Sequence, residues 1–172
     1  MKFTLTNVYQ IPGSPDPVTT YEDRCLRDSA WLKTLFCKLG THIQVLQHEI
    51  VDNVLHLKVL VQPQPQTIPL VLRTLAPVDI MDYVQTTTYD FTTHRGTIKT
   101  QMHHPSLQGT SSEGTFILCA TGPQTVTWSI SSKVTSNFYL VGNKIEAIVA
   151  RTIKKMNPHA RAHIQAHLAP PH

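Results

Sequence analysis

The chain has 172 residues, of which 41% are hydrophobic and only 15% charged, with a formal net charge of +4. A chain of this length builds a core unaided, and the low charge excludes a disordered tail protein or a coiled coil. Apolar runs are short, such as Val59-Leu60-Val61, well below the about 20 residues of a membrane-crossing helix.

The opening Met1-Lys2-Phe3-Thr4-Leu5-Thr6 alternates and has no apolar block of leader length, so a soluble cytoplasmic protein is expected. Three scattered cysteines, Cys25, Cys37 and Cys119, form neither a disulfide framework nor a CxxC pair, in keeping with a reducing compartment. The charge surplus lies on the last segment, where Lys144, Arg151, Lys154, Lys155 and Arg161 face one acid, Glu146. A nucleic-acid binder would carry more basic residues interleaved with aromatics, so no nucleic-acid partner is expected.

Lys2 to Gln10 alternates as a strand, with Phe3, Leu5 and Asn7 on one face. The run Pro12 to Pro17 breaks it, and Asp16 before Pro17 caps a helical stretch over 17–39. Gly40 ends that stretch. From Thr41 the period becomes two, placing Ile43, Val45 and Gln47 on one face. Val51-Asp52-Asn53-Val54 reads as a hairpin turn, and Leu55, Leu57, Val59 and Val61 share the next face. Pro63 to Gln66 is a loop. The apolar run 68–76, interrupted by Pro69, is left between helix and strand. Further strands are expected at 80–90, 95–103, 114–121 and 125–135, with a polar turn at 109–114. The last segment returns to helical spacing through Val141, Ile145, Ile148, Val149, Ile153 and Met156. Pro158 should kink or restart the helix, and the end from Ala169 should fray.

The order is therefore strand, helical segment, about six strands in hairpin succession, and a long amphipathic helix. The late strand enters that helix through Phe138-Tyr139-Leu140-Val141-Gly142-Asn143-Lys144-Ile145-Glu146. Element order and junction together resemble the START-like (helix-grip, SRPBCC) superfamily. It includes lipid-transfer START domains, birch-pollen-allergen-like proteins and polyketide aromatase/cyclases. More narrowly, the junction resembles that of an uncharacterised bacterial START-like family, whose glycine-containing helix start carries an Ile-Glu pair. Tyr139 stands where that family has a proline, and Asn143 where it has a second glycine. The resemblance implies an α+β helix-grip fold in a single domain over 1–172. A strongly curved antiparallel sheet of about seven strands would wrap a long C-terminal helix, with one or two short helices after the first strand. It also implies a cavity for a hydrophobic small molecule or lipid, and carries over no catalytic residues.

On that fold the candidate cavity residues are Trp31, Tyr83, Phe91, His103, Phe116 and Trp128, with Ile145, Val149 and Ile153 from the helix. Lys144, Arg151, Lys154 and Lys155 are the candidates for an anionic membrane surface. His159, His163 and His167 are spaced by four, but with no carboxylate near them they read as an exposed polar face rather than a metal site. Asp90 and His94 flank one turn, where a His–Asp base pair is the catalytic option and local turn bonding the plainer one. The cysteines read as buried and inert. No cofactor is expected. A cyclase- or hydrolase-like enzyme using a cavity His or Tyr, and a partner-binding module with a filled core, are the alternatives.

Overall fold

A computed structural model describes residues 1–73, 81–138 and 141–170. The elements are β1 (Lys2–Gln10), α1 (Pro17–Tyr21), a π-helical turn (Glu22–Leu26), α2 (Ser29–Lys38), β2 (Thr41–Val51) and β3 (Val54–Pro63). They continue with α3 (Leu70–Arg73), β4 (Tyr83–Asp90), β5 (Arg95–Met102), β6 (Thr110–Gly122), β7 (Thr125–Ser136) and α4 (Gly142–Leu168). Residues 74–80, Tyr139, Leu140, Pro171 and His172 lie outside the described residues, and with them the end of the ambiguous run, the start of the expected 80–90 strand and the tip of the expected tail.

The seven strands form one antiparallel sheet in the order β1-β7-β6-β5-β4-β3-β2. Asp16 caps α1 by accepting from Val18 N and Thr19 N, and Asp28 caps α2 in the same way. Between them the chain gains a residue in the π turn, where Arg27 N–H donates to Glu22 O. The helical stretch read from the sequence, as one helix or two, is thus two short helices joined by a π-helical turn. Asp52 and Asn53 both take positive φ, the geometry a two-residue hairpin needs.

Three expectations are corrected. Residues 110–114 are strand, not turn, because their hydroxyls alternate between solvent and the inner sheet face, as in Ser112 opposite Val134. The pairing of β2 slips between Val45 and Gln47, so His48, opposite Leu57, takes the inward place assigned to Gln47. Finally, α4 does not restart at Pro158 but continues through it as one helix. The proline removes one backbone donor, while side-chain bonds to β1 hold the helix on both sides of it.

Those bonds define where α4 lies. Ala150 packs with Phe3, Asn157 bonds Asn7, and Gln165 bonds Gln10. Helix from Ala150 to Gln165 and strand from Phe3 to Gln10 both span about 23 Å. The helix therefore runs alongside the edge strand, about two helix residues to each strand residue. Gln165 accepts from Gln10 N–H at 2.9 Å and donates to Gln10 O at 2.8 Å, satisfying edge groups that a sheet otherwise leaves open. At the other end, a side chain on Gly142 would come 2.5 Å from Ser136 O, so only glycine lets the helix start pass this close to β7.

Candidate ligand site on the concave sheet face

The strand register sorts the inner face into rows. One row is Leu55, Tyr89, Gly96, Phe116, Ile130 and Leu5. The next is Leu57, Thr87, Ile98, Gly114, Ser132 and Phe3. The third is Val59, Gln85, Thr100, Ser112 and Val134. The face thus grades from aromatic and aliphatic to hydroxyl and amide side chains.

The apolar end is closed. Tyr89 stacks on Phe116 at 5.5 Å and meets Phe91 edge-on at 5.1 Å. Gly96 makes room for this, since a Cβ there would strike the Phe116 ring and lie 2.6 Å from Thr88 O. Tyr9, Tyr21 and Leu168 complete the enclosure. Burial pushes the Tyr9 and Cys25 pKa values up to about 12 and raises those of Tyr21 and Tyr89 further.

The polar end is not covered in the same way. Helix α4 packs on β7 and β1, α2 on β2, and α1 on β6 and β7. Of the inward residues of β4 and β5, Thr87, Tyr89 and Gly96 are buried, whereas Tyr83, Gln85, Ile98, Thr100 and Met102 are only half-buried although they face the interior of the curve. These residues form a partly accessible strip of the inner face, between the strands that carry α2 and those that carry α4. Burial of the Tyr83 hydroxyl end pushes its pKa up to about 12. Thr100 and Ser112 share a hydroxyl hydrogen bond of 2.7 Å across this strip.

The sequence candidates divide between these regions. Tyr83, Phe116 and Trp128 share the concave face, with Trp128 between Asn7 and Leu118. Ile145 is buried on α4, and Val149 and Ile153 pack with Phe3, Val134 and Ala150. Trp31 is buried elsewhere, stacked on the His167 ring at 3.7 Å. Phe91 sits past β4 under the Arg27 guanidinium, 3.8 Å from the ring centre. His103 is exposed beyond the end of β5. Lys144, Arg151, Lys154 and Lys155 are all exposed on α4.

Several side chains have partners the sequence did not suggest. His167 is half-buried rather than part of an exposed face. Its Nε2 lies 3.1 Å from Arg24 O, while the Arg24 guanidinium donates to His167 O and Leu168 O and closes the carboxyl end of α4. No group of three metal-ligating side chains exists among the described residues. His94 pairs with Glu22 rather than Asp90. Glu22 Oε1 accepts from the Tyr89 hydroxyl at 2.6 Å and lies 2.8 Å from His94 Nδ1. Asp90 instead accepts from Thr92 N–H and the Thr93 hydroxyl within its own turn. The signal for Glu22 was its place four residues after Val18, on the apolar helix face. Cys25 is buried as expected, but Cys37 and Cys119 are exposed, the latter because it faces outward beside Thr127.

A groove of about 570 Å³ runs across β4 to β7, lined mostly by outward residues such as Thr88, Thr97, Thr115 and Ser131, with Tyr89, Gly96, Phe116 and Ile130 of the inward row also touching it.

Known structures share this architecture. The protein TTHA0849 from Thermus thermophilus matches with a TM-score of 0.62 at 11% identity, covering 98% of this chain and 97% of that one. Zhui aromatase/cyclase from Streptomyces sp. R1128 matches at 0.61 and 7% identity, covering 98% and 94%. A START superfamily protein from Mycobacterium smegmatis matches at 0.55 and 12% identity, covering 96% and 97%. The fold is thus the START-like helix grip. No curated protein matches the chain. A family model described as protein of unknown function, DUF2505, matches residues 14–168, and the chain belongs to that family.

Proposed function

We propose that the chain, acting as one domain over residues 1–172, binds an apolar small molecule or lipid between the concave sheet face and α4. The observation that carries this reading is the half-buried inward side of β4 and β5 beside a fully packed apolar end. A strip left open on the inside of a curved sheet, apolar below and polar at its rim, has the make-up of a small-molecule site. Burial of ligand surface, about 25 cal/mol per Å² before ordering costs, would drive binding. The similarity to a START superfamily protein and to an aromatase/cyclase supports a site in this position.

Binding is favoured over catalysis by the place of the Tyr–Glu–His cluster, Tyr89, Glu22 and His94, at the closed end. The Tyr89 hydroxyl is fully enclosed with its proton held by Glu22, out of reach of a molecule on the strip. Native mass spectrometry of gently purified protein tests the reading. The expected result is added mass that denaturation releases. A bare mass, with no hydrophobic probe bound, overturns it and leaves a filled-core partner module.

A further inference from the structure

We infer that the molecule held on the concave strip is uncharged: an apolar body ending in a hydroxyl or carbonyl group, not a carboxylate, phosphate or amine. This rests on the ligand-binding reading above and adds the chemical class of the ligand.

The wall itself carries the argument. Among the described residues, no inward-facing position of the seven strands is Lys, Arg, Asp or Glu. The charged groups nearest the wall are already matched. Glu22 holds Tyr89 and His94 at the closed end. Glu146, near the polar end, accepts from Ser136 N–H at 3.0 Å and from the Met1 ammonium at 2.5 Å. His48, the inward imidazole, lies on the far edge strand with its Nε2 3.4 Å from Leu26 O. The basic residues of α4 are exposed, and the one whose ammonium approaches the inner wall, Lys154, lies 5.8 Å from the Phe3 ring on edge strand β1, away from Gln85 on β4. A charged ligand group would leave water and find no counter-charge, and an unpaired ion in an apolar setting is strongly disfavoured.

The rim supplies what a neutral polar end needs. In the Thr100–Ser112 pair one hydroxyl donates to the other, leaving one proton and several lone pairs unused. The Gln85 carboxamide, opposite Thr100, makes no hydrogen bond to a described residue, so it offers both a donor and an acceptor. From the Tyr89 row to the Gln85 row the strand covers about 13 Å, which sets the scale of the apolar body.

The test compares cis-parinaric acid with its methyl ester at pH 8, where the same fluorescent chain is offered charged and neutral. The ester is expected to bind at least about tenfold more tightly. Gln85→Lys and Ser112→Lys, each checked for folding by circular dichroism and placing an ammonium at the rim, should shift the preference toward the acid. An acid that binds wild type as tightly as the ester overturns the inference while leaving the ligand-binding reading intact. So does a folded lysine variant with no gain for the acid. Absence of binding by either probe, together with a bare native mass, overturns both.

Discussion

The carboxamides of Asn7 and Asn157 face each other across the boundary between β1 and α4 and exchange two hydrogen bonds, one in each direction, at 2.9 and 3.0 Å. Asn7 is 4% exposed and stands between the apolar Leu5 and Tyr9. Any slide of the helix along the strand leaves the buried Asn7 amide and the half-buried Asn157 amide without each other. The pair therefore sets helix position more than it adds net stability. Asn157→Ala should destabilise the protein by about 1–3 kcal/mol, because Asn7 loses both bonds. The double variant Asn7→Leu/Asn157→Leu should lose less than the two single leucine variants added together. Urea titrations of all three variants measure this, and strict additivity would show that the pair is not coupled.

Glycine positions test the packing. Gly142→Ala sets a methyl 2.5 Å from Ser136 O, and Gly96→Ala one 2.6 Å from Thr88 O and against the Phe116 ring. Both are contacts with backbone, which yields little. Each should cost about 1–3 kcal/mol in chemical denaturation. The gain in helix propensity at Gly142, about 1 kcal/mol, works the other way. A Gly142→Ala variant more stable than wild type would mean that the junction is looser than described.

Much of this architecture was legible because it rests on local rules. Alternation marked the strands, Asp16-Pro17 marked a helix start, and Asp52-Asn53 marked a hairpin. The Gly142 junction was legible for a different reason, through the family resemblance it carries, and its close approach to Ser136 O supplies the physical reason for the glycine. What stayed hidden depends on pairing and on inserted residues. A register slip moved His48 inward, and a π turn accompanied the turn of Glu22 into the core. His94 found its partner across 72 positions of sequence, a distance no periodicity reports. For the site, Tyr83, Phe116 and Trp128 were readable as inward aromatics. The rim of Gln85, Thr100 and Ser112 was not, since hydroxyl and amide residues on a strand look alike whether they face water or a hollow. On α4, Ile148 and Ile153 are only half-buried, so truncation at either costs less than a fully buried isoleucine would.

Removing the Tyr89 hydroxyl isolates the buried network. In Tyr89→Phe, Glu22 keeps His94 but loses a 2.6 Å donor, and a cost of about 1–3 kcal/mol is expected. The same substitution should leave apolar probe binding unchanged, since the hydroxyl is enclosed. Lost probe binding in a folded Tyr89→Phe protein would place the hydroxyl in the site and reopen the catalytic reading.

Alkaline titration should separate enclosed from open groups. Burial raises the pKa values of Tyr9 and Tyr83 to about 12, and those of Tyr21 and Tyr89 more, so the folded state holds protons that the unfolded chain releases near 10. Stability from these groups is complete below pH about 10 and is lost as pH rises toward 12. Absorbance of tyrosinate at pH 11 should therefore stay low until the protein unfolds, then rise in one step. Cys25, with its thiol raised to about 12, should resist a thiol reagent that modifies exposed Cys37 and Cys119. On the acid side the sign reverses. Hydrogen bonds from Thr19 hold the Asp16 carboxyl below its usual range, so its contribution is present above that range and fades as pH falls through the depressed value. Tyr9, Tyr21 and Tyr89 titrating near 10 in folded protein would contradict the enclosed core.

The exposed basic face of α4 leads to the last prediction. Lys144, Arg151, Lys154, Lys155 and Arg161 all meet solvent on the helix that forms one wall of the strip, and Glu146, the one acid among them, is neutralised by the Met1 ammonium. Such a face should draw the protein to anionic vesicles, each basic residue near the surface contributing about 1 kcal/mol. No Trp, Tyr or Phe follows Tyr139 in the sequence, so no aromatic side chain on this segment anchors it in the interface. The attraction is then electrostatic alone and must vanish with added salt. Co-sedimentation with vesicles containing phosphatidylserine should recover the protein at low ionic strength, release it at high ionic strength, and fail with neutral vesicles. Reversing Arg151, Lys154 and Lys155 to Glu should abolish recovery while leaving the fold intact, because all three are exposed. Equal recovery from charged and neutral vesicles would leave these residues as a solvated helix face, with ligand exchange taking place away from any membrane.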